Sequence, residues 1–122
     1  MSDSRKKLGA WGEGVAATHL EASGYKIIGR NWRCRIGEID IIAQQGETVA
    51  FIEVKTRKGR SAGSPEESIT PRKAQKLIQT ALTWIGENGN DDLDWRIDLI
   101  AVELDTKGKL LRCEHFESFV TG

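Results

Sequence analysis

Gly37-Glu38-Ile39-Asp40-Ile41-Ile42-Ala43-Gln44-Gln45-Gly46-Glu47-Thr48-Val49-Ala50-Phe51-Ile52-Glu53-Val54-Lys55-Thr56-Arg57 holds two apolar runs separated by Gln-Gly-Glu, and it reads as a β-hairpin. The first strand runs from Glu38 to Ala43 and the second from Val49 to Thr56. If the hairpin closes with Gln44 opposite Val49, residues 45–48 form its loop, Asp40 lies opposite Glu53, and Glu38 lies opposite Lys55. Opposed residues of an antiparallel pair share a face, with Cβ atoms about 5 Å apart. A slip of one residue would turn Glu53 to the other side. Two carboxylates so placed repel unless a positive charge lies between them. Mg²⁺ or Mn²⁺ suits that position, because such hard cations take oxygen ligands and need only one or two protein carboxylates beside water and phosphate oxygens.

Outward from the hairpin the chain alternates helical and extended patterns. Residues 5–23 read as a helix with Leu8, Trp11, Val15, His19 and Ala22 on one stripe and Gly24 as its stop. The small residues Gly9, Gly12 and Ala16 would let this helix approach a sheet closely. Residues 25–33 read as a strand. Residues 58–70, rich in Gly, Ser and Pro, are expected to form a mobile loop. Thr70-Pro71 is a helix start, with Thr as N-cap and Pro in the first turn. Ala74, Leu77, Ile78, Ala81, Leu82 and Ile85 then recur at helical spacing to a stop near Gly86. An acidic turn over 87–94, an apolar strand over 97–104, a turn over 105–108 and a last strand over 110–116 complete the order α-β-β-β-α-β-β. The fold class is α/β, with helices packed on a mixed sheet in one domain spanning 1–122.

Composition narrows the classes. The 122 residues are 39% hydrophobic and 30% charged, which excludes disordered, collagen-like and membrane-spanning chains. The basic N-terminus has no apolar stretch behind it, so no secretory signal is expected, and the lone Cys34 and Cys113 fit reduced thiols in the cytoplasm. Net charge is zero, but residues 1–60 hold 11 Lys/Arg against 7 Asp/Glu and residues 61–122 the reverse. Between Lys55 and Lys76 there are seven basic residues and two acids, so a local basic face is compatible with the neutral sum.

Three charged residues, Asp40, Glu53 and Lys55, interrupt strands that otherwise read as half buried. An ammonium at Lys55 would hold an attacking water or stabilise charge developing on a phosphate. Glu13 borders the apolar side of the first helix beside Ala16, Ala17 and Leu20, where a carboxylate is costly without a partner. Glu-x-Lys alone carries no information in a chain this charged. The four residues on elements that can converge do, and they read as a metal-dependent site. Glu38 reads as a salt-bridge partner of Lys55, a residue that begins the strand, or an outer carboxylate, with structure preferred. Arg33, Arg35, Arg57, Lys58 and Arg60 flank the site as phosphate contacts or a solvated rim. Arg72, Lys73 and Lys76, on the polar face of the second helix, are either solvated or contacts to a nucleic-acid backbone. Trp11, Trp32, Trp84 and Trp95 read as packing residues rather than platforms for bases, and His19 as a core histidine. Asp98 pairs with Arg96 or lies near the site, and it is left out of the candidate set.

Gly12-Glu13, Gly37-Glu38-Ile39-Asp40 and Phe51-Ile52-Glu53-Val54-Lys55-Thr56-Arg57 resemble the bacterial YraN family, a group related to archaeal Holliday junction resolvases within the PD-(D/E)xK nuclease superfamily. The resemblance covers roughly residues 8–116, and the superfamily's proline before the Asp is replaced by Ile39, as is usual in the resolvase branch. It implies a restriction-endonuclease-like core in which Asp40, Glu53 and the Val54 carbonyl hold the metal, Glu13 supports it directly or through water, and Lys55 is the catalytic lysine. The implied activity is that of an Mg²⁺- or Mn²⁺-dependent endonuclease on branched or otherwise structured DNA. Cutting a junction needs two sites facing two strands, so a two-fold homodimer is expected. The alternative is a non-catalytic module with the nuclease fold, binding nucleic acid or a DNA-processing protein through the loop at 58–70.

Overall fold

Along β3 (Thr48–Lys58), Val49 and Phe51 face one way while Ala50, Ile52 and Val54 face the other, and both sets are buried. A strand buried on both sides needs cover on each face of its sheet. The computed structural model, which describes residues 2–59, 63–89 and 92–121, supplies that cover with two helices. Helix α1 (Ser2–Ala22) places Ala16, Ala17 and Leu20 against Ala50, Ile52, Val54, Ile100 and Val102. Helix α2 (Pro71–Asn88) places Leu77 and Ala81 against Val49, Phe51 and Ile97 on the opposite face.

The sheet is mixed and five-stranded, in the order β1 (Lys26–Arg33), β2 (Glu38–Gln45), β3, β4 (Asp94–Leu104) and β5 (Leu110–Val120). Neighbouring pairs are antiparallel except β3 and β4, which run parallel, from Thr48 opposite Asp94 to Lys58 opposite Leu104. The parallel pair requires a crossover, and α2 is that crossover. The predicted α-β-β-β-α-β-β order is therefore the observed one, and no helix among the described residues is long and apolar enough to cross a membrane.

The hairpin has its predicted register, Gln44 opposite Val49, but it is tighter than expected, because Gln45 and Thr48 also pair and leave only Gly46-Glu47 to turn. Gly46 takes φ +60°, a conformation that a two-residue turn demands and glycine supplies without strain. The last two strands extend further than the pattern indicated, to Asp94 and to Val120. In the segment expected to be a loop, Lys58 completes β3, and Glu66–Ser68 form a 3₁₀ turn tied down by two hydrogen bonds from Arg112 to Glu66.

The first helix buries a different face from the one its large apolar residues marked. Trp11 is 42% exposed and Ala22 is also exposed, whereas Gly12, Ala16, Ala17 and Leu20 are buried. The cause is the closeness of the contact with β3. A Cβ on Gly12 would sit 1.9 Å from Thr56 Oγ1, so only glycine fits where helix and strand meet. Gly9, by contrast, has open space around it.

The second helix begins as predicted. Thr70 is its N-cap, its hydroxyl accepts from the Lys73 amide at 3.2 Å, and Pro71 occupies the first turn. Thr70→Ala is expected to cost about 1 kcal/mol in a urea melt. A loss below a few tenths would show that packing of Leu77 and Ala81 alone fixes the start of α2.

Candidate active-site cleft

Where α1, the ends of β2 and β3, and the start of α2 come together, an open cleft of about 790 Å³ is lined by Glu13, Glu38, Asp40, Glu53, Val54, Lys55, Thr56, Arg57, Lys58 and Lys73, with Arg5, Leu8 and Gly9 at one side. Three chain features bring these residues together. The hairpin register carries Asp40 to Glu53, one step beyond the pair Ile41–Ile52. The tight approach at Gly12 brings the next residue, Glu13, down to the sheet. The crossover returns the first turn of α2 to the same end of β3, and with it Lys73.

Asp40 and Glu53 form a carboxyl pair. Asp40 Oδ2 accepts the Val54 amide at 2.8 Å, and the Asp40 carboxyl also hydrogen-bonds that of Glu53. Two carboxylates this close cannot both be ionised at low cost, so they share a proton. Burial and the hydrogen bond with Glu53 push Asp40 up to about 9. Burial acts to raise Glu53 as well, but the hydrogen bonds from Asp40 and Lys73 outweigh it and hold Glu53 below its usual range. Lys73 Nζ lies 2.9 Å from Glu53 Oε2, and this contact raises the ammonium's pKa against the opposing effect of burial. Glu13 is raised mainly by burial, opposed by a hydrogen bond from Asn31 and the charge of Arg30.

The two buried carboxyls present hard oxygen donors whose charge is met here by a proton and by the Lys73 ammonium. Glu53 Oε2 is buried without a well-formed hydrogen bond despite its close ammonium. A divalent cation between Asp40 and Glu53 would replace both the proton and the Lys73 contact, so the donor set fits the group. Among the described residues no three His, Cys, Asp or Glu side chains are placed to hold a metal together.

Of the other candidates, Arg57 and Lys58 line the cleft, and Lys73 enters it rather than staying on a solvated helix face. Arg33, Arg35, Arg72 and Lys76 are exposed and do not line it, and Arg60 lies outside the described residues. Of the three readings of Glu38, the structural one holds, since Glu38 begins β2, and the ion pair with Lys55 is not the contact it makes. Glu38 bonds Arg33 on the neighbouring strand, because β1 and β2 pair at those positions.

A second polar cluster is built on the pairing of Asp98 with Arg96, one of the two readings of Asp98, and extends beyond it to residues the sequence did not connect. Asp98, fully buried in β4, accepts from Arg96 Nε at 3.1 Å and from the Ser118 amide at 2.9 Å, and it lies 2.7 Å from His115 Nε2. Arg96 also bonds the Tyr25 hydroxyl. Only the spacing of Arg96 and Asp98, two residues apart on one face of a strand, hinted at this cluster.

A model of the uncharacterised protein family UPF0102 matches residues 12–102, which include Glu13, Asp40, Glu53, Lys55 and Lys73. A UPF0102 protein of Pelotomaculum thermopropionicum is 42% identical over 118 residues, covering 97% of this chain and 98% of the relative. A second, from a Parafrankia species, is 44% identical over 110 residues, covering 90% of this chain and 92% of the relative. A third, from Acidothermus cellulolyticus, is 48% identical over 93 residues, or 76% of this chain and 70% of the relative.

Proposed function

The chain belongs to the UPF0102 family, and from its cleft we propose that it is a metal-dependent phosphodiesterase acting on DNA, with branched or otherwise structured DNA as its substrate. The observation that carries this reading is the juxtaposition of the Asp40 and Glu53 carboxyls in an open cleft with Lys55, Arg57, Lys58 and Lys73 around them. Paired acids amid bases suit a polyanionic substrate that brings phosphate oxygens to complete a cation's shell. When bound there, Mg²⁺ or Mn²⁺ supplies Lewis-acid polarisation of a phosphoryl oxygen and makes water a better nucleophile.

The chain's own residues have separate tasks in this reading. Asp40 and Glu53 would hold the ion with their carboxylates, with the Val54 carbonyl beside them, and Asp40 would have to be ionised to do so. Glu13 serves from the cleft wall through water. Lys55, two residues from Glu53 and on the same face of β3, orients the attacking water and offsets charge on the phosphate. Arg57 and Lys58 hold neighbouring phosphates. Lys73 leaves Glu53 and turns its ammonium to the substrate. A cytoplasmic location, a two-fold dimer and a DNA-processing partner belong to the same proposal.

One observation favours the second reading, a nucleic-acid-binding module without turnover. Lys73 already neutralises Glu53, so the cleft is self-consistent without a cation. The deciding experiment offers end-labelled single-stranded, duplex, flap and four-way-junction DNA to wild type and Asp40→Asn, purified identically, in Mg²⁺ and in Mn²⁺. Cleavage by wild type is expected to fall about 100-fold or more in the variant, the scale on which one electrostatic group acts in a transition state. Equal cleavage by both proteins would mark a contaminant and end the enzyme reading. Salt-dependent binding without cleavage would establish the module instead.

A further inference from the structure

We infer that the side of α1 next to the cleft is a track for an unpaired DNA strand, with Trp11 as the ring on which one base stacks. This rests on the reading of the cleft as a DNA phosphodiesterase site and specifies the form of DNA it takes. Three of the four tryptophans, Trp32, Trp84 and Trp95, pack against the core on the α2 face. Trp11 does not, and it stands 42% exposed. It lines an open groove of about 520 Å³ with Ser4, Arg5, Lys7, Leu8 and Lys58. Arg5, Leu8 and Lys58 also line the carboxylate cleft, so the groove and the cleft are continuous.

The chemistry of the groove selects its occupant. Lys7 and Leu8 precede Trp11 by four and three residues, so the three side chains share one face of the helix. Three cations and no acid line the groove among the described residues, which suits a phosphate backbone. A large exposed ring between cations is the arrangement by which single strands are held, with bases stacking on the ring and phosphates on the charges. The bases of a duplex are already stacked and cannot use the ring. The track therefore distinguishes a strand with free bases, such as a flap or a single-stranded tail, from a continuous duplex. A strand lying along Arg5, Trp11 and Lys58 leads its backbone to Asp40 and Glu53.

The test is binding in the presence of a chelator, where no cleavage occurs, read by anisotropy of a labelled duplex carrying an unpaired thymidine tail and of the same duplex with blunt ends. Trp11→Ala is expected to weaken binding to the tailed DNA roughly 5- to 100-fold, the range that base–aromatic stacking spans, and to change blunt-duplex binding less than about twofold. Trp11→Phe keeps a ring and is expected to restore most of the tail affinity. Equal losses on both DNAs, no loss on either, or no binding of DNA by wild type at low salt would each overturn the inference. Failure of the enzyme reading looks different: wild type cuts neither DNA in Mg²⁺ or Mn²⁺, while tail-selective, Trp11-dependent binding persists.

Discussion

In a chelator, Asp40→Asn is expected to gain stability over wild type as the pH rises, by about 1.4 kcal/mol for each unit and thus about 4 kcal/mol between pH 5 and pH 8. The sign follows from where the proton sits. Folded Asp40 has its pKa pushed up to about 9, while an unfolded aspartate titrates near 3.8. Between these values the folded chain holds a proton that unfolding releases. Stability is therefore full below about 3.8 and is lost as the pH climbs towards 9. Asparagine mimics the protonated side chain, since its oxygen can accept the Val54 amide and its NH₂ can donate to Glu53, and it does not titrate. The neighbours leave the comparison intact. Glu53 is lowered from 4.5, so its contribution is present throughout this window and lost only in acid. Lys73 is raised from 10.5, so its contribution is constant below that value. Glu13 is raised from 4.5 and has the same sign as Asp40, but it is present in both proteins and cancels in the difference. Urea melts of the two proteins across the window measure the effect. Parallel stability curves would mean that Asp40 is ionised in the fold and that the carboxyls share no proton. With the expected result, removing a titratable carboxyl from the cleft strengthens the fold, which is the usual relation between a functional site and the scaffold that holds it.

The carboxyl pair was legible because strand side chains repeat every two residues. Once Gln44 faces Val49, the positions of Asp40 and Glu53 follow without knowledge of anything distant. Lys73 was readable only as a polar helix position. Its contact with Glu53 depends on β3 and β4 being parallel, which sends the connecting helix back so that its first turn lies by the end of β3. The apolar strand after an amphipathic helix was a signal for that crossover, but the signal does not specify which side chain reaches which strand. The face of α1 was misread for a physical reason. Periodicity weighted towards large apolar residues selects Leu8 and Trp11, whereas close packing on β3 selects the smallest residues, Gly12, Ala16 and Ala17. The same rotation of the helix that buries the small side chains leaves Trp11 outside, beside the cleft. Arg96 was readable as a partner of Asp98 from their spacing, but the rest of the cluster was not, because His115 and the Ser118 amide come from β5 and Tyr25 joins through Arg96.

That cluster gives the second large effect, on stability rather than chemistry. Asp98→Ala is expected to destabilise the chain by about 3–5 kcal/mol, the range for removing one partner of a buried charge pair. The loss is large because of what remains. Asp98 has no exposed side-chain surface, and the Arg96 and His115 side chains are 17% and 10% exposed. Without the carboxylate, the guanidinium keeps, among the described residues, Tyr25 through its hydroxyl and ring and the distant Glu117, 3.9 Å away, and the Ser118 amide loses its acceptor. Water reaches such a pocket poorly, so the stranded donors bear most of their desolvation. Small domains have only about 5–15 kcal/mol of stability in total, so the variant is expected to melt roughly 10–20 °C lower or to fail to fold at 37 °C. Asp98→Asn separates charge from hydrogen bonding. Its oxygen still accepts from the Ser118 amide, so a loss close to that of alanine would place the main effect on the Arg96 charge, and a loss of about 1 kcal/mol would place it on the amide. Asp98→Ala within 1 kcal/mol of wild type would show that the cluster is solvated and holds nothing. The cluster sits on the α1 face, and Ile52, one residue before Glu53, is paired with Asp98 across the parallel ladder. Partial loosening there is expected to shift β3 under the carboxyl pair, so on the proposed reading of the cleft a folded Asp98→Asn protein keeps its affinity for tailed DNA and cuts it more slowly.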